Sequence, residues 1–335
     1  MRRFTPMIVS ILILTGCNIQ DNKTQRSFFA MDTVMNVTVY GDKSEELVQQ
    51  AGQMLNDMAT LWSVTDENSE IYAINHSGGE TVDVSAETAE LIRFAVEMNE
   101  LTDGALDVTL YPVIKEWGFT TGEYKIPSED RLSRLLERTG SENVTFTENS
   151  VTATDGTEID LGAVAKGYAG DRLYHYLTEN GVTSALLDLG GNIHAIGASP
   201  DGSPWRLGVR SPDGNGNIAA LEICDMAVVT SGGYERYFVG DDGNRYCHII
   251  DPETGCPADS GLASVTIVGR QGALCDALST AVYVMGAEKA ESLWHQRHGF
   301  EMLLITSDGD MIITAGLKDK ITPAEEFRGN IDYIE

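Results

Sequence analysis

Hydrophobic and polar positions along the chain follow two spacings, one helical and one extended. Residues 44–62 carry an apolar stripe at helical spacing, formed by Leu47, Ala51, Leu55 and Met58. Such a stripe predicts an amphipathic helix that buries one face. The same spacing predicts further helices over residues 85–101, 128–138, 165–179, 275 onward and 287–298. Ser85 is typical of a helix N-cap.

Extended segments lie between these helices. Residues 28–41 alternate and are rich in β-branched side chains, which predicts one strand ended by Gly41. Residues 143–162 predict a hairpin, and residues 183–189 predict a strand before a Gly-Gly turn. Short strands follow to about residue 270, and a pair of strands closes the chain. Because helices and strands are intermixed without a βαβ rhythm, we expect an α+β fold.

The amino terminus is expected to be an export signal. Arg2 and Arg3 precede a short apolar segment, residues 7–14, and the sequence LTGC ends at Cys17. A basic start and a short apolar core are typical of secretory signals, and a membrane span needs roughly 20 apolar residues. Because LTGC is similar to a bacterial lipobox, residues 1–16 are predicted to be a lipoprotein signal peptide. An ordinary secretory signal is the alternative.

Cleavage before Cys17 would leave that residue as a lipidated amino terminus. Residues 17–27 are polar and predict a tether, and residues 28–335 are the predicted folded domain. Stable anchoring takes more than one acyl chain, which a lipobox cysteine carries. The expected location is extracytoplasmic and lipid-anchored to a bacterial membrane, on the periplasmic face or on the surface of a single-membraned cell.

The charge balance narrows the range of functions. The chain has 51 Asp and Glu against 23 Lys and Arg, a formal net charge of −28. Binding of nucleic acid by phosphate neutralisation is therefore excluded, whereas a divalent cation would be well tolerated. The cysteines that follow Cys17 lack CxxC spacing, so neither a zinc site nor a redox dithiol is indicated. A disulfide between Cys247 and Cys256 and free thiols both stay open.

Familiar active-site motifs are absent from the sequence, namely GxxxxGK[ST], strand-borne GxGxxG, HExxH and GxSxG. His295 and His298, in the sequence HQRH, are typical of a solvated helix end. A more informative segment is IDLGAVAKGYAGDRL (159–173), which places Asp160 and Lys166 where a strand passes into a helix. A helix N-terminus beside glycine and lysine favours a phosphate, although many such junctions are only structural.

Three further segments combine glycine with polar groups. Residues 101–119 contain a glycine turn with Asp107, followed by Trp117, which alone is typical of a core residue. Residues 228–238, VVTSGGYERYF, contain a Ser-Gly-Gly sequence that cradles an anion or forms a tight turn. In YCHIIDPETGCP (246–257), His248 ends a strand beside a turn signal.

The helix predicted from residue 275, CDALSTAVYVMG, carries two polar groups in an apolar run. Asp276 and Thr280 are one turn apart, and positions i and i+4 share a helix face. The carboxylate and the hydroxyl therefore converge on one point. A structural interpretation stays open, in which Asp276 serves the helix dipole and Thr280 bonds a backbone carbonyl.

The sequence resembles the ApbE family from about residue 28 to 330. Six ordered segments carry the resemblance: FFAMDT (28–33), TDGALD (102–107) with WGF (117–119), DLGAVAKGY (160–168), SGGY (231–234), HIIDPETG (248–255) and DALSTA (276–281). Two positions depart from the family pattern. Asp32 stands where the family usually has glycine, and Ser279 stands where some members have a second aspartate.

The resemblance implies an α+β, T-fold-related arrangement of mixed sheets with packed helices, in one catalytic unit with one or two subdomains. It also implies a Mg²⁺-dependent FAD:protein FMN transferase. The implied metal ligands are the Ala163 carbonyl, Asp276 and Thr280, and the adjacent Ser279 is a further candidate ligand. Mg²⁺ prefers such oxygen ligands. Because Ser279 replaces the second aspartate of some family members, the metal site is predicted to have one fewer charged ligand than theirs.

The implied catalytic residues are His248, Lys166 and Asp276. His248 is the candidate general base because imidazole titrates near neutral pH, and Lys166 adds a cation. The residues expected to contact FAD are Met31, Trp62, Ser63, Ala105, Leu106, Asp107, Asp160, Lys166, Tyr234, His248 and Asp251.

The implied partner is a second protein. FMN would pass from FAD to its Thr or Ser hydroxyl with release of AMP, and exported subunits of the sodium-pumping NADH:quinone oxidoreductase or Rnf complex are the expected acceptors. Family targets carry an [ST]-G-A-[ST]-like motif, which this chain lacks, so its own modification is not expected. The alternatives are an FAD pyrophosphatase that releases FMN and AMP, a non-catalytic flavin-binding lipoprotein and an unrelated solute-binding lipoprotein.

Overall fold

The computed structural model describes residues 23–335, so the predicted signal peptide and Cys17 lie outside the described residues. The α-helices of this range are α1 (Ser44–Trp62), α2 (Glu70–Asn75), α3 (Ala86–Leu101), α4 (Tyr111–Trp117), α5 (Glu129–Leu136), α6 (Ala165–Glu179) and α7 (Gly272–Gln296). Two 3₁₀ helices span Ser141–Asn143 and Ala315–Leu317. None of the described helices is long and apolar enough to cross a membrane.

The described residues also form seventeen strands. In chain order they are β1 (Lys23–Ala30), β2 (Thr33–Tyr40), β3 (Val82–Asp83), β4 (Val144–Phe146), β5 (Ser150–Ala153), β6 (Ser184–Leu189), β7 (Asn192–Gly197), β8 (Trp205–Arg210), β9 (Asn217–Ile223), β10 (Ala227–Gly232), β11 (Tyr237–Val239), β12 (Arg245–Cys247), β13 (Leu262–Gly269), β14 (Phe300–Thr306), β15 (Met311–Thr314), β16 (Ile321–Pro323) and β17 (Ile331–Ile334).

One large sheet organises the molecule. Its nine strands run in the order β1-β2-β6-β7-β10-β13-β14-β15-β17. Each neighbouring pair is antiparallel except β15 and β17, which are parallel. Three smaller sheets have the orders β11-β12, β16-β9-β8 and β3-β5-β4. The predicted mixture of helices and sheets without a βαβ rhythm is confirmed.

Both faces of the large sheet are covered, which explains its continuous apolar strands. In β14, Met302 and Leu304 join the main core with α1, α6 and α7. Leu303 and Ile305 point the other way, into a second core with the β16-β9-β8 sheet. A third, smaller cluster joins α4 and α5 to residues near β11 and β12. This arrangement places the start of α6 and of α7 against one end of the large sheet.

Residues 28–41 form a hairpin rather than the single predicted strand. Met31 and Asp32 connect β1 to β2 with φ values of 48° and 58°. A two-residue turn with positive φ at both positions matches the twist of antiparallel strands, and Asp tolerates this conformation better than most residues. Asp32 therefore fits where the family usually has glycine. The strand also begins at Lys23, so residues 23–27 belong to the sheet and not to the predicted tether.

Some of the other helix and strand boundaries agree with the sequence-based predictions, and some differ from them. α1 and α6 have the predicted bounds, and the Ser85 hydroxyl accepts the Thr88 N–H at the start of α3. The predicted hairpin is β4 and β5. α2 and α4 were not predicted, because each is short and lies in a polar or glycine-containing stretch. The last two predicted helices join in α7, which begins at Gly272 and bends at Gly286, where φ is 79°.

Candidate active site

A cavity of about 1080 Å³ opens where the hairpin turn, the end of α1 and the starts of α6 and α7 converge. Its walls include most of the side chains predicted for a site. These are Met31, Trp62, Ser63, Ala105, Leu106, Asp107, Asp160, Ala163, Lys166, His248, Asp276 and Thr280. Segments more than two hundred residues apart in the sequence therefore meet around one space.

The cavity depends on a close contact between α6 and α7. A Cβ atom at Gly272 would lie 2.6 Å from the Gly167 carbonyl oxygen, and one at Gly167 would lie 2.6 Å from the Asp276 Cβ. Only glycine lets the two backbones approach this closely. As a result, the Gly167 N–H donates to Asp276 Oδ2 over 2.8 Å.

Asp276 is a buried carboxylate with few compensating charges. Its relative exposure is 3 %, and its Oδ1 lies 3.9 Å from Lys166 Nζ. Burial raises the pKa of this carboxyl, while Lys166 and the nearby Asn192 amide favour its charged form. A group in this position is stabilised as an anion by a cation that enters the cavity.

The N-terminus of α7 is capped by another residue. Both carboxylate oxygens of Asp171, on α6, accept backbone N–H groups, from Gly272 at 2.6 Å and from Ala273 at 2.9 Å. Asp276 is therefore not the cap of its own helix, as the structural interpretation had it, but bonds the first turn of α6. Asp171 fixes the position of α7, and nothing in its sequence context had marked it.

Three of the four predicted metal ligands line the cavity, and the fourth does not. Ala163, Asp276 and Thr280 line the cavity, and the Thr280 hydroxyl makes no hydrogen bond with another described residue. Ser279 does not line it. Its hydroxyl donates to the Asp276 carbonyl at 2.8 Å and lies 2.7 Å from the Ser231 Oγ. Ser279 therefore supports the start of α7 from within the core, which corrects its assignment as a ligand.

A carbonyl, a carboxylate and a hydroxyl are an all-oxygen donor set of the kind that Mg²⁺ prefers. Within residues 23–335, no three His, Cys, Asp or Glu side chains are grouped closely enough to hold a metal ion together. A cation here would consequently keep several positions for water or a ligand's phosphate oxygens. The buried, raised-pKa carboxylate together with the unbonded Thr280 hydroxyl fits such an ion.

The segment before α6 presents its backbone to the cavity. Asp160 Oδ1 accepts the Gly162 N–H at 2.8 Å, which folds the chain into a tight turn around Ala163. Lys166 Nζ donates to the Gly162 carbonyl at 3.3 Å. Burial raises the pKa of Asp160. The positive Lys166 side chain and the N-terminus of α6 thus face the same space, as phosphate binding requires.

The loop 102–110 and the end of α1 form the opposite part of the lining. Asp107 accepts the Thr109 N–H and hydroxyl at 2.8 and 2.6 Å, and burial raises its pKa. The Trp62 indole donates to the Thr88 hydroxyl at 3.0 Å and packs edge-on against Tyr168. Trp62 lines the cavity but is only 6 % exposed, so little of its ring is open to a ligand.

His248 has the tautomer that a general base needs. Its Nδ1 lies 3.1 Å from the Arg236 carbonyl oxygen. Because a carbonyl can only accept, Nδ1 carries the proton and Nε2 is left with its lone pair. Burial, reinforced by the Arg236 guanidinium, lowers the pKa of His248 to about 4. The ring is therefore neutral at physiological pH.

Two residues predicted to contact the cofactor lie elsewhere. Tyr234 lines a second cavity of about 810 Å³. Asp251 lines neither cavity, and its Oδ1 accepts the Glu253 N–H at 2.9 Å in the turn that the Asp-Pro signal indicated. Trp117 donates from Nε1 to the Gly255 carbonyl at 2.8 Å and is a core residue. All four cysteines of residues 23–335 are free.

Sequence reasoning missed several side chains that line the cavity. Arg236 is the clearest, because its guanidinium donates to the Phe119 carbonyl at 2.7 Å and stands beside His248. Asn192 is 6 % exposed, lines the cavity and places its amide beside the Asp276 carboxylate. The Gly-Gly turn before Asn192 and the Ser-Gly-Gly before Arg236 were the available signals.

Comparison with known proteins agrees with this geometry. The model of the ApbE family matches residues 31–304. The FAD:protein FMN transferase of Vibrio cholerae is 31% identical over 319 residues, which cover 92% of this chain and 95% of that protein. The protein of the same name from Treponema pallidum is 33% identical over 319 residues, with 88% of each chain covered.

Solved structures show the same fold. The ApbE protein of Thermotoga maritima superposes with a TM-score of 0.81 at 34% identity, over 91% of this chain and 98% of that one. The flavin transferase ApbE of Vibrio cholerae gives a TM-score of 0.81 at 29% identity, over 90% and 99%. The ApbE-like fold expected from the sequence is confirmed, and the chain belongs to the ApbE family.

Proposed function

We propose that this protein is a Mg²⁺-dependent transferase that moves FMN from FAD to a Thr or Ser hydroxyl of an exported protein and releases AMP. The observation that carries the proposal is the convergence of His248, Lys166 and the Asp276–Thr280 face on one cavity. The names of the relatives support the same activity. The cavity volume of about 1080 Å³ is at the upper end of the roughly 300–1,000 Å³ common for small-molecule sites, as a dinucleotide requires.

The reaction is a substitution at phosphorus. The acceptor hydroxyl oxygen forms a bond to the phosphorus on the FMN side of the diphosphate, and the bond from that phosphorus to the bridging oxygen breaks. The bridging oxygen leaves with AMP. Such transfers depend on positioning and charge neutralisation more than on covalent help from the enzyme.

His248 would take the proton of the attacking hydroxyl at Nε2. The Nδ1–H bond to the Arg236 carbonyl fixes the ring orientation and keeps Nε2 unprotonated. Because the pKa of His248 is lowered to about 4, the base is available at neutral pH without first losing a proton. The proton passes from imidazole to solvent after AMP has left.

Lys166 and the N-terminus of α6 would hold the diphosphate. The Lys166 ammonium lies in the cavity next to the first turn of α6, where helix N–H groups favour anions. Asp276, Thr280 and the Ala163 carbonyl would hold Mg²⁺, which when bound neutralises charge on the phosphate oxygens. Asp171 keeps these groups in place by capping α7.

The location and the acceptor are part of the proposal. The sequence of residues 1–17 supports an extracytoplasmic, lipid-anchored protein, and acceptors are then exported flavin carriers of the sodium-pumping NADH:quinone oxidoreductase or Rnf type. Labelling of cells with a radioactive fatty acid tests the anchor, because the parent should incorporate label and Cys17→Ala should not. Incorporation by both would refute lipidation at this cysteine.

Product analysis tests the activity. The protein is incubated with FAD, MgCl₂ and the soluble domain of a flavin-carrying subunit of the sodium-pumping oxidoreductase that contains the [ST]-G-A-[ST] motif. We expect covalent FMN on that domain, by mass spectrometry, and AMP in equal amount. Equal release of FMN and AMP without modification would instead establish an FAD pyrophosphatase. Bound but intact FAD would establish a flavin-binding lipoprotein.

A further inference from the structure

Exposed large hydrophobic side chains concentrate next to the cavity. Among residues 23–335, seven such side chains are exposed. Six of them lie in segments that border the cavity, and we call these six the apolar rim: Phe29, Val34, Tyr124, Ile126, Tyr237 and Val239. The seventh, Tyr333, is on β17 at the far edge of the large sheet. Exposed apolar side chains gathered beside a cavity are typical of interaction sites.

The first part of the apolar rim belongs to the β1–β2 hairpin. Phe29 and Val34 are cross-strand partners in the register of the two strands, so their side chains stand on one face. Phe29 is 70 % exposed and lines the cavity together with the Met31 and Asp32 turn. The pair therefore lies beside the opening and not on a distant surface.

The second part lies around the β11–β12 hairpin and the loop that packs on it. Tyr124 stacks on Phe238 with ring centroids 5.0 Å apart, and Phe119 of the cavity wall lies 5.7 Å from Tyr124. Since strand residues alternate, Tyr237 and Val239 face away from Phe238 into solvent. A side chain at Gly240 would touch Ile126, which joins the loop to the hairpin.

This hairpin also carries two groups of the candidate active site. Arg236 immediately precedes β11 and His248 immediately follows β12, and both line the cavity. Each strand of this two-stranded sheet has an unpaired edge among the described strands. A polypeptide that brings a hydroxyl to Nε2 of His248 therefore comes close to the base of this hairpin.

We propose that the apolar rim is the docking surface for the acceptor segment that carries the modified hydroxyl. The occupant is an extended stretch of the acceptor protein, with apolar side chains on both sides of its Thr or Ser. This inference rests on the proposed function, since only a transfer reaction needs a protein at the opening. The argument for this occupant is that Phe29 lines the cavity and that the hairpin bearing Tyr237 and Val239 is flanked by Arg236 and by the general base His248, which both line it.

A membrane surface is a less suitable occupant. The chain carries a net charge of −28, and the anionic lipids of bacterial membranes repel such a protein. Apolar side chains beside a phosphoryl-transfer site instead suit a peptide, whose backbone can use the free strand edges while its side chains contact the rings. Aromatic and aliphatic side chains of this kind provide much of the binding energy at protein interfaces.

The test uses rim residues that do not line the candidate active-site cavity; one of them, Ile126, lines the second cavity. The triple variant Val34→Ser, Ile126→Ser and Val239→Ser is compared with the parent, and Tyr333→Ser is the matched control on an exposed hydrophobic away from the rim. The acceptor is the soluble oxidoreductase domain used above. We expect the triple variant to raise the KM for this acceptor by about tenfold or more, with FAD affinity unchanged by flavin fluorescence.

The outcomes separate the two claims. If the parent modifies no acceptor while it binds or hydrolyses FAD, the proposed function fails. If the parent and the triple variant modify the acceptor with the same KM, the apolar rim is not its docking surface, whatever the activity. Loss of vesicle binding in the triple variant, with transfer unchanged, would overturn the inference in favour of a membrane contact, and loss of a dimer in solution would do so in favour of a second copy of this chain.

Discussion

Gly167 and Asp276, on two helices distant in sequence, share a hydrogen bond of 2.8 Å from a backbone N–H to a buried carboxylate. The bond exists because neither Gly167 nor Gly272 has a Cβ atom to separate α6 from α7. The orientation of the candidate metal ligand is thus a consequence of helix packing.

Gly167→Ala is expected to disrupt the site. The added Cβ would overlap the Gly272 carbonyl and lie 2.6 Å from the Asp276 Cβ, and overpacking of this kind costs about 1–3 kcal/mol. Urea denaturation should show that loss, and FMN transfer should fall with it. Gly170→Ala, on the same helix, meets its nearest neighbour at 3.3 Å and is the control. Equal stability and activity of the two variants would refute the role of this contact.

Thr280→Ala and Ser279→Ala should have different effects, although the residues are adjacent. Thr280 lines the cavity, whereas the Ser279 hydroxyl bonds within the core. Thr280→Ala should weaken Mg²⁺ binding about 10-fold or more, measured by titration calorimetry, while Ser279→Ala keeps the parent affinity. A loss confined to Ser279→Ala would restore Ser279 as a ligand. A chelator should stop AMP release by the parent, and added Mg²⁺ should restore it.

His248→Ala should slow FMN transfer about 10²- to 10⁴-fold, the usual contribution of a general base. Because the pKa of His248 is lowered to about 4, the parent rate should be nearly level from pH 6 to 9 and should fall only as the imidazole protonates in more acidic solution. The measurement is the rate of transfer at saturating FAD across this range. A variant as fast as the parent between pH 6 and 9 would refute the assignment.

Asn192→Ala should weaken FAD binding without loss of stability. The Asn192 amide lies buried against the cavity beside the Asp276 carboxylate, whose charged form it favours, so we expect it to donate to a phosphate oxygen held at the same place. A hydrogen bond to a charged group contributes about 1.5–3 kcal/mol, equivalent to roughly a 10- to 100-fold change in the dissociation constant. Fluorescence titration measures this change, and an unaltered FAD affinity would contradict it.

Asp171 should make folding stability depend on pH. Burial raises the pKa of this carboxyl from 3.8 to about 6 in the folded protein. Between those two values the folded state binds more protons than the unfolded state, so this residue's contribution to the free energy of unfolding falls as pH rises from about 4 to 6. Denaturation curves of the parent and of Asp171→Asn should diverge over that range. Parallel curves would show that the cap titrates normally.

Much of the fold and of the site could be predicted from sequence. The apolar stripes that predicted α1 and α6 bury side chains against the large sheet, so periodicity alone gave their bounds. The segments that resemble the ApbE family led to most of the cavity lining, including Asp276 and Thr280. In both cases the residues lie in segments whose neighbouring positions show the same pattern, either apolar periodicity or resemblance to the family.

The remaining features depend on contacts between distant segments. The hairpin turn at Met31 and Asp32 lacks glycine, so the alternation was read as one strand. Ser279 is next to a cavity residue in sequence, but its direction on the helix turns it into the core. Asp171 gains its role from its contact with α7, which no local pattern describes. Asn192 follows a Gly-Gly turn, but its role depends on the distant segments that form the cavity.

The α6–α7 contact has a mechanical consequence for the whole chain. One side of the cavity is formed by α6, from the middle of the sequence, and by α7, from its later part. Any occupant that contacts both Lys166 and Asp276 therefore holds these two helices together. Filling the site would then raise the melting temperature, and the increase would grow with the logarithm of the ligand concentration above the dissociation constant. Substrate supply would in this way also govern how long the protein survives proteases.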